Sequence, residues 1–575
     1  MYRTSLINVL SLENTDKIVT LSGWVDTIRD HGGIIFIDLR DVSGTIQLVI
    51  HPEISNYNII SNIKSEYVIQ VIGKVIKRSE ENINKNISTG YIELEVNKLD
   101  ILNSSMPLPF EINEDRVEEN LKYKYRYLNM RGKKTLNILK KRSQFMHILR
   151  NFMYDNGFME VDTPILGRAT PEGARDFLVP SRINKNKYYA LPQSPQIYKQ
   201  TLMVAGIDRY FQISKCFRDE DLRSDRQPEF LQLDCEASFV NESDVMNFSE
   251  SLVKEILKDL MNISIDSIPV MSYDEAINSY GSDKPDISFD MKIKDLTNIA
   301  KEFDFKVFRD TAQKGAVKAI NFKGGADKLS RKDIDVLTDY AKISGAKGLA
   351  WLKFIDGNYS SVISKFFNNN ELDSITNIME VENNDILFFV ADSKEIVQET
   401  LGRVRLKLAD NYSLRRDGFH FLWVVDFPMF EWSESDKKYK SVHHPFTQAK
   451  DNDPKISKAY DLVLNGNEIA GGSIRIHNYE KQIEAFKFLG IDKDEAEDKF
   501  GNLLSALKYG APPHGGIAFG IDRFLTILLG LDSIREVIPF PKTQSGLCLF
   551  TGAPAAVNEE DLNILNIVNK KDKKD

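Results

Sequence analysis

A multidomain α+β protein is predicted, and three observations predict it. The chain has 575 residues, enough for several domains at roughly 100–200 residues each. Its first hundred residues are a series of short β-branched runs, whereas the stretch from Leu136 carries a helical period. Farther on, a charge-rich strand pair and a strand–turn–helix pattern flank a long segment of different character. The composition, 42% hydrophobic and 28% charged, is that of a globular chain and excludes wholesale disorder. Lys+Arg 75 against Asp+Glu 84 gives a net charge of −9, which excludes a uniformly basic nucleic-acid coat but leaves room for a local basic track. Cys216, Cys235 and Cys548 form no CxxC pair, so neither a disulfide framework nor a cysteine zinc site is expected. Reduced thiols fit a cytoplasmic location. No apolar run approaches the roughly 20 residues that cross a bilayer. The N-terminus (MYRTSLINVLSLENTDK) has acids soon after a short apolar stretch and no small-residue cleavage site, so no signal peptide is expected.

The elements follow in order. Residues 1–105 hold VTLSGWV, GIIFIDLR, GTIQLVI, YVIQVIGKVIK and YIELEVNKL, each bounded by turn residues. Closely spaced strands of this kind predict a small closed barrel, with an OB-fold first among the candidates. A β-domain without a ligand is the plain alternative, since fold does not dictate function. Residues 106–135 read as a hinge: a linker around MPLPFEINED, then basic residues. From Lys122 to Arg150 the chain carries Lys124, Arg126, Arg131, Lys133, Lys134, Lys140, Lys141 and Arg142 with no acid between them. A solvated helix face is the usual reading of a charge run. The missing acids and the interleaved Tyr123, Tyr125 and Tyr127 favour contact with a phosphate backbone. A helix is expected from Leu136, with Phe145, Ile148, Leu149, Phe152 and Met153 on one stripe and Asn156-Gly157 as its stop. That stripe is either core or a subunit contact. Residues 136–286 and 421–555 read as two halves of one core, and 287–420 as a domain inserted between them. Residues 556–575 form a C-terminal extension whose NKKDKKD end should fray.

The densest chemistry lies at 208–240, DRYFQISKCFRDEDLRSDRQPEFLQLDCEASFV. It reads as a long antiparallel hairpin around a charged loop. With a strand period of two, Leu231, Leu233, Cys235 and Ala237 face one way, and Phe230, Gln232, Asp234 and Glu236 the other. A polar face could simply meet solvent. Arg218 with an aromatic at the rim instead suits a nucleotide, the guanidinium on phosphate and the ring on a base. In YDLVLNGNEIAGGSIRIHN (460–478), Asp461 and Glu468 suit a magnesium ion shared with phosphate oxygens. Strict alternation would put Glu468 and Arg475 on opposite faces, and a bulge at Gly471-Gly472 would bring them together. In APPHGGIAFGIDRFLTILLG (511–530), Arg523 sits in a first helical turn, against the helix dipole by on the order of 0.3–1 kcal/mol. A residue that breaks a local rule is a candidate for function. No GxxxxGK[ST] is present, so the phosphate site is not a P-loop. TPEGARD, QSPQIYKQ, GSDKPD and VHHPFT are further candidate ligand loops. With no third His or Cys nearby, His443 and His444 are expected to hydrogen-bond rather than bind metal.

These motifs together resemble those of the bacterial aspartyl-tRNA synthetases, class II ligases of the class IIb branch, along nearly the whole chain. GFMEVDTP looks like class II motif 1, FRDE…RQPEFLQLD like motif 2 and GIAFGIDR like motif 3. TPEGARD, QSPQIYKQ, GSDKPD, HHPFT and GGSIRIHN narrow the likeness to the aspartate branch. No class I HIGH or KMSKS signature occurs. The resemblance implies an anticodon-binding OB-fold, a class II catalytic core on an antiparallel sheet, and an inserted α+β domain of bacterial type. It also implies a cytoplasmic homodimer with Pro164 at its interface. The activity implied is formation of aspartyl-adenylate from L-aspartate and ATP, then transfer to tRNA(Asp).

Roles carry over by motif. Arg218 would bind the α-phosphate and Arg523 the γ-phosphate, with Phe230 stacked on adenine. Asp219, Glu220, Gln227, Gly520, Ile521 and Asp522 would lie near the nucleotide, and Asp461 and Glu468 would hold magnesium. Lys199 and Arg475 would grip the aspartate side chain. Asp234, Gln196 and Ser194 would face its amino group, Glu172 would sit on a closing loop, and His443 and His444 would order the site. Arg29, Phe36 and Gln47 would read the anticodon, and Arg223 and Arg226 would approach the acceptor end. The His31-Gly32 pair, where family members restricted to tRNA(Asp) often have an apolar residue, points to charging of tRNA(Asn) as well; RSEENIN (78–84) leaves this open. Ala470 departs from the family, where a third Gly is common. The rival readings are a ligase for asparagine or lysine, against which Lys199 and Arg475 argue, and an inactive RNA-binding paralogue, which would normally have lost a motif arginine.

Overall fold

The computed structural model describes residues 1–114, 116–170, 173–434 and 437–568. They divide into two compact units, 1–117 and 118–575, so the expected hinge (106–135) falls across the division.

The first unit is a closed five-stranded barrel. Its strands are β1 (Ile18–His31), β2 (Ile34–Arg40), β3 (Thr45–Ile50), β4 (Val68–Lys77) and β5 (Ile92–Asn103). The order around the barrel is β1-β2-β3-β5-β4, with β3 and β5 parallel and β4 closing on β1. Alternation decides what faces in: Ile35, Ile37 and Leu39 of β2 are buried, and Phe36 between them faces outward.

The second unit is built on an eight-stranded sheet. Before the insertion the chain forms α1 (Lys133–Asp155), β6 (Met159–Glu160), α2 (Gln196–Val204), β7 (Arg209–Phe217), β8 (Glu229–Ser238), α3 (Glu242–Ile256) and β9 (Val270–Ser272). The segment that follows makes its own five-stranded sheet from β10 (Lys294–Asp295), β11 (Ala316–Phe322), β12 (Ala350–Ile355), β13 (Asn358–Ser360) and β14 (Asp385–Asp392), ordered β10-β11-β14-β12-β13. All seven residues of β11 are buried, because apolar clusters pack on both faces of this sheet. Helix α4 (Lys394–Tyr412) leads back to β15 (Phe421–Val425), β16 (Ala459–Leu464), β17 (Asn467–Ile474), β18 (His514–Gly520) and α5 (Ile521–Leu528). The large sheet runs β9-β15-β16-β17-β18-β8-β7-β6. Its central pairs are antiparallel and its two edge pairs parallel.

Two expectations change. Helix α1 begins at Lys133, a turn before Leu136, and its stripe is core: Phe145 meets Phe524 of α5 edge to face at 5.7 Å. Part of the basic track is used inside the protein, while Lys124, Lys133, Lys134 and Lys140 remain exposed. The Arg126 guanidinium is buried and donates to the carbonyls of Ile538 and Pro539. Lys141 donates to the Leu260 carbonyl, Arg142 pairs with Asp522 at 2.6 Å, and Arg150 pairs with Glu160. Helix α1 packs against the sheet's back layer, so its cations meet chain ends and carboxylates that would otherwise be left unpaired.

Candidate active site

Antiparallel strands place every second residue on one face, and β8 turns Gln232 and Asp234 into a cavity of about 580 Å³. Helix α2 adds Gln196 and Lys199, and the residue after β17 adds Arg475. At the floor Lys199 Nζ lies 3.1 Å from Asp234 Oδ1 and 3.6 Å from Glu236 Oε2. The Arg475 guanidinium donates to Glu236 through Nε at 2.9 Å and Nη2 at 3.2 Å, and through Nη1 to Ser473 Oγ at 2.6 Å. All four charged groups are almost fully buried. Burial alone would raise the Glu236 carboxyl, but Arg475 and Lys199 outweigh it and hold it below the usual range. Burial pushes the Asp234 carboxyl up, against the pull of Lys199. Burial, with Arg475 and Lys199 close by, drives the His444 imidazole down to about 3, so it is neutral.

Several polar atoms of this floor have no hydrogen-bond partner among the described residues: Asp234 Oδ2, Gln196 Nε2 and His444 Nε2. Each such buried atom costs on the order of 1–3 kcal/mol. An acceptor and potential donors left open beside two fixed cations suit a small zwitterion with an extra negative charge.

Above the floor, the Arg218 guanidinium lies 5.1 Å from the centroid of the Phe230 ring. Gln227 is clamped by Lys542, donating to its carbonyl at 3.0 Å and accepting from its N–H at 2.7 Å. Glu220 pairs with Arg226 at 2.8 Å. Arg523 donates to the Glu468 carbonyl at 2.8 Å and reaches Asp225 at 3.4 Å. The bulge expected at Gly471-Gly472 lies instead at Ile469: Leu462 pairs with Ala470 and Val463 with Glu468. The extra residue turns Glu468 onto the cavity side. Asp461 Oδ1 and Glu468 Oε1 then converge above Gly471, where a β-carbon would sit 2.7 and 3.5 Å from them. Burial and the neighbouring Asp461 raise the Glu468 carboxyl. Two like charges over a bare glycine fit a divalent cation. Among the described residues no cluster of three or more such side chains is set for a metal, so a cation here would share this pair with substrate oxygens. His443 Nε2 lies 3.0 Å from Asp461 Oδ1, a hydrogen bond as expected of it.

The cavity therefore gathers Ser194, Gln196, Lys199, Arg218, Glu220, Arg226, Gln227, Phe230, Asp234, His443, His444, Asp461, Glu468, Arg475, Gly520, Asp522 and Arg523. It does not gather all the expected residues. The Ile521 side chain is in the core, because the sheet-facing side of α5 is apolar. Asp522 lines the cavity, and its carboxylate also accepts from Arg142 and the Leu231 N–H, which braces the wall. Asp219 sits outside the lining beside Arg175, Arg223 outside it in the loop before β8, and Glu172 outside the described residues. No motif assigns a role to Glu236, though its spacing from Asp234 puts it on the same face. Asp283 and Lys284, in the candidate loop GSDKPD, also line the cavity.

On the barrel, Arg29, Phe36 and Gln47 share an outer face. Arg29 pairs with Asp38 at 3.1 Å and donates to Gln47 at 3.3 Å, and Gln47 donates to Glu93 at 2.9 Å. His31 stands edge-on to Phe36, with ring centroids 5.8 Å apart. Asp38 and Glu93 complete a polar frame that sequence spacing did not reveal.

A class of enzyme is defined by this antiparallel sheet with Arg218 and Arg523 at its open face: the class II tRNA synthetases. Comparison with known proteins agrees. Residues 118–544 match the family described as tRNA synthetases class II (D, K and N), and residues 19–102 match the OB-fold nucleic acid binding domain. The chain belongs to the class II tRNA synthetases of the D, K and N group. It is 46% identical to the aspartate–tRNA ligase of Staphylococcus carnosus, covering 98% of this chain and 99% of that one. It is 50% identical to the aspartate–tRNA(Asp/Asn) ligase of Persephonella marina, covering 97% and 96%. Its fold is similar to that of Pyrococcus horikoshii asparaginyl-tRNA synthetase in complex with asparaginyl-adenylate. That likeness has a TM-score of 0.61 at 20% identity and covers 94% of this chain and 99% of that one.

Proposed function

We propose that this enzyme activates L-aspartate with ATP and transfers it to the 3′ end of tRNA(Asp). The observation that carries this reading is the cavity floor, where Lys199 and Arg475 stand beside an open Asp234 Oδ2. Asp234, with Gln196 and Ser194, receives the substrate ammonium, and the two cations receive the side-chain carboxylate. Asparagine has nearly the same size but carries no side-chain carboxylate, so it forgoes the charge-assisted hydrogen bonds that Lys199 and Arg475 offer a second anion beside Asp234 and Glu236.

The α-carboxylate oxygen attacks the α-phosphorus. A new P–O bond forms, the bond to the β-phosphate bridge breaks, and pyrophosphate leaves with the electron pair. Arg218 stabilises the charge that grows on the α-phosphate, and Arg523 that on the departing end, so no protein nucleophile is needed. Asp461 and Glu468 would hold a magnesium ion, which would supply further neutralisation of the phosphates. The tRNA terminal hydroxyl then attacks the adenylate carbonyl, forming the ester and releasing AMP. Arg226 and Arg223, on the motif 2 loop, guide that acceptor end.

Splayed anticodon bases stack on Phe36 and bond to Arg29 and Gln47, as single-stranded bases do on OB-folds. We extend the reading to tRNA(Asn), because His31 stands against Phe36 on that face and relatives of about equal identity carry both names. The enzyme acts as a cytoplasmic homodimer. Exposed Ile165 and Leu166 beside Pro164 supply apolar surface for that contact, and among the described residues no helix is long and apolar enough to cross a membrane.

ATP–pyrophosphate exchange measured with each of the twenty amino acids tests the central claim. Aspartate alone should support it, and exchange with asparagine or lysine instead would overturn the assignment. Charging of tRNA(Asn) no better than of an unrelated tRNA would remove the dual specificity.

A further inference from the structure

The loop that follows β9 and the helix Tyr273–Tyr280 leads into the inserted domain and reaches the cavity. Asp283 and Lys284 line it, although neither belongs to the sheet that forms the rest of the wall. Lys284 is exposed at the rim, and among the described residues its ammonium has no ion-pair partner. Lys284, Glu468 and Arg523 line the same cavity.

The loop is clamped from two sides. On the inserted side, Arg405 of α4 is buried, with its guanidinium 3.9 Å from the Phe289 ring centroid and 4.8 Å from that of Tyr280. It donates to the carbonyls of Asp286 at 2.6 Å, Met291 at 3.0 Å and Phe289 at 3.2 Å. Arg415 donates to the Asp286 carboxylate at 2.7 Å, and Arg416 to the carbonyls of Ile287 and Ser288. The backbone itself rests on α4: a β-carbon on Gly402 would lie 2.8 Å from the Tyr280 carbonyl. On the core side, Asp286 packs on Gly466, where a β-carbon would lie 3.0 Å from that of Asp286. Gly466 is in the β16–β17 turn, two residues before Glu468.

We infer that Lys284 is a substrate-contacting cation for the polyphosphate end of ATP, and that Arg405 and Arg415 of the inserted segment are positioning residues that hold its loop at the cleft. The inference rests on the nucleotide reading of the cavity, not on the identity of the amino acid. Three arginines and two glycine contacts are more than a passive connection needs, and they fall on residues 280–291, on both sides of Lys284. A lysine there meets phosphate as a mobile point charge, complementing the rigid forks of Arg218 and Arg523.

The test is calorimetric binding of ATP and of AMP to the full-length chain in the presence of magnesium. Lys284→Ala should weaken ATP roughly tenfold to a hundredfold, the range for a charge-assisted contact, and leave AMP unchanged. Lys284→Arg should recover most of the loss. Arg405 is buried and its variants are at risk of misfolding, so the joint is tested at the partly exposed Arg415. Arg415→Ala should weaken ATP selectively, and Lys284→Ala/Arg415→Ala should bind ATP no worse than Lys284→Ala. ATP affinity in Lys284→Ala within about twofold of wild type, or equal weakening of AMP, would overturn the contact. Full additivity would overturn the positioning role. Failure of aspartate to support exchange, with these binding results intact, would instead count against the substrate assigned above.

Discussion

Each charged side chain in the cleft has a definite electrostatic task. In the proposed reaction Arg218 and Arg523 meet the negative charge that develops; Arg218 lies over the Phe230 ring and Arg523 reaches Asp225 in a partly exposed contact. Arg218→Ala and Arg523→Ala should each lower exchange by at least about a hundredfold. Unchanged far-ultraviolet dichroism would show the fold intact, and near-normal exchange would dismiss the assignment. His444 behaves differently. Its imidazole drops from 6.5 to about 3 because burial and the two floor cations oppose a third positive charge. In that interval the unfolded chain binds a proton that the folded chain refuses, so the stability contribution is complete above 6.5 and declines as pH falls toward 3. His444→Gln should therefore lose less melting temperature than wild type between about pH 7 and about pH 5. A steeper loss in the variant would reverse the argument.

Strand geometry decides how those residues meet. The Ile469 bulge shifts β17 by one residue and lets Glu468 and Arg475 share a cavity that regular alternation would have denied them. Gly471 keeps space between Asp461 and Glu468, whereas Ala470 one residue earlier carries its methyl group within the sheet core. Gly471→Ala should thus lower exchange by roughly tenfold or more with little change in melting temperature. Activity close to wild type would show that the two carboxylates do not converge on a ligand.

Two separately cored units imply two separable functions in the molecule. The barrel encloses its own apolar cluster, and Phe36 stands outside it. Phe36→Ala should weaken tRNA use by roughly tenfold to a hundredfold, the range for one stacked base. Aspartate-dependent exchange should be unaltered, and a parallel fall in exchange would merge the two functions into one.

The barrel, the helix stripe of α1 and the polar face of β8 are legible in the sequence, because periods of two and 3.6 are local properties of a chain. The sequence also placed Arg218, Phe230, Asp234, Asp461 and Arg523 among the candidates, since each lies in a short motif with few structural uses. Only the tertiary structure decided what the basic track does, because Arg126, Arg142 and Arg150 find their partners through packing rather than spacing. The same holds for the bulge at Ile469, for Glu236 as joint counter-charge to Lys199 and Arg475, and for Lys284 held from the inserted segment. A side chain's charge is written in the sequence, but its neighbours are brought from far along the chain, and in a buried site the neighbours set what that charge can do.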